Sequence, residues 1–118
     1  MKHSLKKGVL KVGDRSVVFP IVGLVKQVLL LREFIIVRLD TPDCKVADRN
    51  VFAVDQSGNI RWRISERLPK VDDTPNPITN IWIDEKGRLM AYAWEGRFLM
   101  VDPNTGAVTD ADPGARLW

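Results

Sequence analysis

The chain has 118 residues, of which 45% are hydrophobic and 28% are charged, and its formal net charge is +3. This length and composition are typical of one globular domain and argue against a disordered chain. So small a positive charge predicts a surface of mixed charge. It does not by itself indicate a nucleic-acid-binding protein, whose basic residues cluster on one face.

Residues 1–7 are basic, and we expect them to form a flexible N-terminus. They lack the apolar core of a signal peptide, so we expect a cytoplasmic protein. Two short β-like runs follow, 9–12 and 16–19, with Gly13 and Asp14 between them. A Gly-Asp pair supplies the positive φ angles that a tight turn needs, so these runs predict a hairpin.

The longest apolar stretch allows two interpretations. Part of it has helical spacing, which leaves open a helix over about Ile21–Leu31. Its second half is β-branched and aromatic, so we favour two buried strands, about Leu24–Leu31 and Phe34–Leu39. The pair between them, Arg32 and Glu33, is a poor choice for a tight turn. The stretch is too short and too often interrupted to predict a membrane span.

A clearer hairpin lies in Asn50–Ser65. An apolar run leads to the turn Asp55-Gln56-Ser57-Gly58, and apolar and polar residues then alternate. This alternation places Arg61 and Arg63 opposite to Trp62. We therefore predict that Trp62 lies in the core and that both arginines lie on the surface. Residues 66–77 follow as a long Pro-containing loop, because proline excludes a central strand.

The same turn pattern recurs twice after this loop. In each copy an apolar residue precedes Asp, then come two or three polar residues, Gly and a new strand. We predict that the Asp side chain accepts turn N–H groups and that the Gly adopts a left-handed conformation. The residues with this structural role are Asp55, Gly58, Asp84, Gly87, Asp102 and Gly106.

Short strands with regularly spaced turns predict one all-β domain over residues 1–118. It should be mainly antiparallel, with about eight to ten strands. A small sandwich, a barrel and a propeller-blade-like meander are all compatible with this pattern.

Two of the hairpins share a longer pattern. The first copy has Ala53, Asp55, Gly58 and Trp62, and the second has Asp102, Thr105 and Gly106 but Met100 and Asp110 in place of Ala and Trp. Residues 50–110 thereby resemble blades of the quinoprotein-alcohol-dehydrogenase-like β-propellers, whose docking motif is Ala-x-Asp, a Thr-Gly turn and Trp four residues later. The resemblance implies blade geometry and not quinone binding.

A chain of this length would hold about two blades, whereas propellers close with about four to eight. Either several chains assemble into a ring, or the strands form a sandwich or open barrel of their own. We favour the second, because the long apolar stretch 24–39 is unlike a solvent-edged outer strand.

Catalytic and metal-binding patterns are scarce. His3 is the single histidine and lies in the basic N-terminus, and Cys44 is the single cysteine. We therefore predict no catalytic triad, which needs a histidine fixed in position. We also predict no zinc site, which needs several suitably spaced Cys or His residues. There is also no glycine-rich phosphate loop, and we predict no catalytic residue, metal or cofactor.

One strand offers a candidate binding surface. Arg88, Met90, Tyr92 and Trp94 share a face, and Leu89, Ala91 and Ala93 share the opposite one. The bulky face either packs against another sheet, which is the commoner arrangement, or contacts a partner.

We therefore predict a non-enzymatic interaction or structural module with a protein partner or self-association. Its contacts would come from Arg61, Arg63, Met90, Tyr92 and Trp94. A nucleic-acid-binding β-barrel, possible but not favoured, and a small enzyme with paired carboxylates remain as alternatives.

Overall fold

A computed structural model describes residues 3–41, 48–65, 76–94 and 96–111. This part of the chain contains eleven strands and no helix, so the prediction of an antiparallel all-β fold is confirmed, with one strand more than the upper estimate. Cys44 and residues 66–75 of the predicted Pro-containing loop lie outside the described residues. The strands are β1 His3–Lys6, β2 Val9–Val12, β3 Arg15–Ser16, β4 Leu24–Leu31, β5 Phe34–Asp40, β6 Val51–Val54, β7 Ile60–Arg63, β8 Ile78–Ile83, β9 Leu89–Ala93, β10 Phe98–Val101 and β11 Val108–Asp110.

The strands form three antiparallel meanders. The N-terminal sheet has the order β1-β2-β3, the central sheet β4-β5-β6-β7 and the C-terminal sheet β8-β9-β10-β11. Every strand thus pairs with its neighbour in the sequence, as short turns favour. The fold is a sandwich of three stacked sheets.

The first strand corrects the prediction of a flexible N-terminus for residues 3–7, whereas residues 1–2 lie outside the described residues. His3–Lys6 pairs with Val9–Val12 along its whole length. Lys7 and Gly8 connect the two strands with φ angles of 53° and 76°. Two positive φ angles match the right-handed twist of a tight hairpin. Backbone hydrogen bonds to β2 order these residues, and the polar sequence of β1 gives no sign of that pairing.

The apolar stretch forms two strands, so the favoured interpretation is confirmed and the helical one is wrong. Leu24–Leu31 pairs with Phe34–Asp40, and Leu31 lies opposite Phe34. Arg32 makes this turn with a φ of 57°. A residue with a Cβ rarely adopts that conformation, which is why the sequence carries no turn signal here.

The central sheet is buried on both faces, which explains its unbroken apolar strands. On one face, Phe34, Ala53 and Trp62 pack against the C-terminal sheet. On the other, Ile35 and Phe52 pack against the N-terminal sheet. A strand covered on both sides reads as a continuous apolar run and not as an alternating one. Periodicity alone therefore could not distinguish strand from helix in this region.

Two side-chain carboxamides connect the central sheet to β8. Asn50 donates from Nδ2 to the Leu39 and Ile78 carbonyls at 2.8 and 2.9 Å, and its Oδ1 accepts from Ile78 N at 2.8 Å. Gln27 binds Ile81 in the same way, with Nε2 to the carbonyl at 3.2 Å and Oε1 from the amide at 3.0 Å. Each carboxamide therefore takes the place of a backbone partner along β8.

The three Asp–Gly turns have the predicted chemistry. Asp55 Oδ1 accepts from the amides of Ser57 and Asn59, both at 2.9 Å. The other two aspartates accept from amides two residues further on, at 3.0 Å in the Asp84 turn and 2.8 Å in the Asp102 turn. The φ angles of Gly58, Gly87 and Gly106 are 85°, 77° and 78°.

Trp62 fixes the central sheet to the last of these turns. Its side chain is 7% exposed, and its Nε1 donates to the Pro103 carbonyl at 2.9 Å. A Cβ added to Gly106 would lie 2.6 Å from Trp62 Cε3. Glycine is required there by this close approach as well as by its φ angle.

Candidate functional site

The outward face of the C-terminal sheet carries large aromatic and sulfur-containing side chains. Strand register defines it, because residues opposite each other in a pair share a face. Trp82 lies opposite Met90, Phe98 opposite Tyr92, and Met100 opposite Met90. We call Trp82, Met90, Tyr92, Phe98 and Met100 the aromatic face. No sheet of the described part of the chain packs against it.

The rings of the aromatic face contact one another. Phe98 lies at the centre, with its ring centroid 4.8 Å from that of Tyr92 and 6.1 Å from that of Trp82. The Trp82 pair is nearly perpendicular at 84°. Such tilted and edge-to-face contacts are favourable for aromatic quadrupoles and hold the rings in fixed positions. The face is therefore a preorganised surface.

A basic residue and a carboxylate border this face. Arg88 donates from Nε to Asp84 Oδ2 at 2.7 Å, and its Nη1 lies 3.6 Å from Met100 Sδ. The guanidinium is thus held beside the face by the Asp84 turn. Arg97 and Asp110 are 3.6 Å apart, but Asp110 lies opposite Leu99 and so belongs to the inward side of the sheet.

The predicted binding residues of β9 have different exposures. Met90 is only 1% exposed, so it offers almost no surface of its own to a partner. Tyr92 is half-buried, and Trp94, two residues beyond it, is 71% exposed.

Of the two arrangements left open for this bulky face, packing against another sheet is not found among the described sheets. Leu89, Ala91 and Ala93 pack there instead, since small alanines let the central sheet approach closely.

The predicted arginines lie elsewhere, on the central sheet. Arg61 is exposed and lies 3.5 Å from Asp55. Arg63 makes contacts within the chain: its Nε donates to the Arg49 carbonyl at 2.7 Å and its Nη2 to the Asp48 carbonyl at 3.0 Å. Its guanidinium also stacks 5.3 Å from the centroid of the Phe52 ring. Arg63 is opposite Phe52 and faces away from the C-terminal sheet, so the structure does not bring the arginines and the aromatic face together.

The turns hold the carboxylates of Asp55 and Asp84 in their ionised form. The hydrogen bond from the backbone N–H of Asn59 lowers the pKa of Asp55. The hydrogen bond from the backbone N–H of Arg88 lowers the pKa of Asp84 in the same way. Burial lowers the pKa of Arg63. Carboxylates with lowered pKa values act as hydrogen-bond acceptors, and a general acid would need the opposite shift.

Three members of the aromatic face were missed in the sequence: Trp82, Phe98 and Met100. The signal that could have found them is the pairing of hairpin strands. With the Asp84 turn fixed, Trp82 must lie beside Met90, and the next turn places Phe98 beside Tyr92. Single-strand alternation found one row of the face and could not extend it across the sheet.

The opposite end of the stack is basic. On the N-terminal sheet, Leu10 and Val12 face inward. Register then puts Ser4, Lys6, Val9 and Lys11 on the outward face, with Ser16 opposite Lys11. We call these five residues the lysine face, and all of them are exposed.

The described residues contain no group of three or more His, Cys, Asp or Glu side chains placed to hold a metal ion. Within the same residues, no helix has the length and apolar character needed to cross a membrane. A family model described as "Domain of unknown function (DUF7957)" matches residues 1–112. No curated protein and no solved structure matches the chain.

Proposed function

This chain belongs to the DUF7957 family of domains of unknown function, and we propose that it is a non-enzymatic protein-interaction module whose contact surface is the aromatic face together with Trp94. The observation that carries the proposal is the arrangement of Trp82, Tyr92 and Phe98 as contacting rings on an outward sheet face. A sheet face exposed to solvent normally carries polar side chains, because the strands alternate between apolar residues inside and polar residues outside.

The composition of this surface supports a protein partner. Aromatic residues, methionine and arginine are enriched at the centres of protein interfaces. Here Arg88 stands beside Met100, and the 71% exposed indole of Trp94 adjoins the sheet. The rings are fixed by contact with one another, so their immobilisation on binding costs little entropy.

The two alternative functions have weaker support. Single-stranded nucleic acid needs aromatic stacking and phosphate contacts on one surface. Beside the aromatic face the guanidinium of Arg88 is paired with Asp84, and Lys6 and Lys11 lie at the opposite end of the stack, with the central sheet between. An acid–base pair needs carboxylates with pKa values that differ strongly, whereas Asp55 and Asp84 are both shifted downward.

Photo-crosslinking in the native host cells tests the proposal. A photoreactive phenylalanine is placed at Thr109, which is exposed and lies opposite Met100 on the outward face. The control position is Arg61, which is exposed on the central sheet. We expect adducts, identified by mass spectrometry, from Thr109 and not from Arg61. The Trp94→Ala substitution should weaken the Thr109 adduct at least tenfold. Absence of any adduct at Thr109, or an adduct unaffected by Trp94→Ala, would contradict the proposal.

A further inference from the structure

Successive sheets of this protein dock through the same contact. Arg15, at the last strand of the N-terminal sheet, donates to the Ser57 carbonyl at 3.4 Å and lies 3.4 Å from the position of a Cβ on Gly58. Trp62, in the last strand of the central sheet, donates to the Pro103 carbonyl and covers Gly106. Each time, a side-chain N–H from the last strand of one sheet binds the final turn of the next sheet.

Each end of the stack carries one partner of this contact: a final turn at one end and the last strand of a sheet at the other. Gly13 occupies the final turn of the N-terminal sheet with a φ of 61°, and a Cβ placed there would meet no described atom within 4 Å. At the other end, Thr109 occupies the position in the C-terminal sheet that Trp62 occupies in the central sheet. Trp62 lies opposite Ala53, two residues before Asp55, and Thr109 lies opposite Met100, two residues before Asp102. A further sheet would therefore present its final turn to Thr109.

The two terminal sheets have net charges of opposite sign. Residues 3–16 contain four Lys or Arg and one Asp, whereas residues 78–110 contain five Asp or Glu and three Lys or Arg. Lys6 and Lys11 also suit the aromatic face itself. Ammonium groups are attracted to aromatic rings, and lysine stems pack on apolar surface.

We propose that a second copy of this chain continues the stack, with the aromatic face of one copy against the lysine face of the other. This proposal rests on the proposed function, because it names the partner of the same surface. A contact between unlike ends closes into a ring or grows into a filament. Rings of stacked four-stranded sheets close with about four to eight sheets. The described part of each copy has three sheets, two of four strands and one of three, so two copies supply six sheets, a number within that range.

Reciprocal charge reversal tests this arrangement by sedimentation velocity and light scattering on the full chain. One variant carries Lys6→Glu and Lys11→Glu on the lysine face. The second carries Glu85→Lys and Thr109→Lys: Glu85 is exposed in the Asp84 turn, and Thr109 is exposed opposite Met100 on the aromatic face. A control carries Lys26→Glu and Arg61→Glu, which are exposed on the central sheet. Circular dichroism verifies that each variant is folded.

The wild type and the control should have twice the mass of one 13.4 kDa chain. Each reversed variant alone should be a monomer, with its dissociation constant raised at least tenfold at low salt. An equimolar mixture of the two should restore the dimer, since acidic and basic ends then meet again. A monomeric wild type up to about millimolar concentration would overturn this inference. So would a lysine-face variant that dimerises as the wild type does, because the aromatic faces would then pair with each other. A Thr109 adduct with a different protein, beside a monomeric wild type, leaves the proposed function standing.

Discussion

Replacing Asn50 by alanine removes the carboxamide that joins the central sheet to β8. Asn50 is 2% exposed and makes three hydrogen bonds, to the Leu39 carbonyl and to the carbonyl and amide of Ile78. A protein hydrogen bond contributes about 1 kcal/mol, and a buried group left without a partner costs about 1–3 kcal/mol. Three lost bonds, with the carbonyl and the amide of Ile78 left without this partner, therefore predict that Asn50→Ala lowers the free energy of unfolding by about 4 kcal/mol.

Urea unfolding followed by tryptophan fluorescence measures this change. The matched control is Asn59→Ala, because the Asn59 side chain is exposed and accepts one bond from Arg15 at 3.2 Å. We expect the control to change the free energy of unfolding by less than about 0.5 kcal/mol. A loss below about 1 kcal/mol in Asn50→Ala would refute the reasoning, because it would mean that water replaces the carboxamide without cost.

The substitution Asn50→Asp separates hydrogen bonding from volume. The introduced carboxylate can still accept from the Ile78 amide but directs its second oxygen at the carbonyls of Leu39 and Ile78. At pH 7 it should destabilise the fold at least as much as alanine. Burial beside carbonyl oxygens raises the pKa of the new carboxyl, so the destabilisation should shrink as the pH falls through that raised value. A penalty independent of pH would contradict this account.

Three further predictions concern the turns and the second carboxamide. Gly106→Ala and Gly87→Ala both place an alanine at a positive φ angle, but only Gly106 touches Trp62. Urea unfolding should therefore show Gly106→Ala to be more destabilising by about 1–3 kcal/mol. Equal losses would contradict the docking of Trp62. Because the pKa values of Asp55 and Asp84 lie below their usual 3.8, the stability they contribute is complete above that pH and is lost as the pH falls through the lower folded values. The thermal midpoint of the wild type should therefore fall more steeply between about pH 4 and pH 2 than that of Asp84→Asn, and parallel curves would argue against the turn carboxylate. Gln27→Ala removes the bonds to Ile81 and should cost about 2 kcal/mol, whereas Gln56→Ala, at an exposed turn position, should be neutral in the same urea titration.

The hairpins were predictable because their signals are local. The turn at Asp84 closes through bonds to amides two and four residues further on, so a short window of sequence contains all of its chemistry. The strands of the central sheet were harder, because burial on both faces removes the alternation that identifies a strand. β1 was missed since its order comes from backbone pairing with β2 and not from apolar residues.

The candidate site was only partly predictable. Alternation correctly put Met90 and Tyr92 on one face of β9, but the side that turns inward depends on the sheet that packs there. Trp62 and Phe34 of the central sheet fill that space, and Ala91 and Ala93 leave room for them. The carboxamide contacts of Asn50 and Gln27 reach 28 and 54 residues along the chain, beyond any local pattern.

The same two carboxamides protect the folded chain against aggregation. The edge of a β-sheet exposes backbone groups that can recruit a strand from another molecule. On β8 the amides and carbonyls of Ile78 and Ile81 are already occupied by Asn50 and Gln27. A foreign strand could pair there only after displacing both side chains. At Ile78 and Ile81 the edge is thus occupied without the addition of a strand, a charge or a proline.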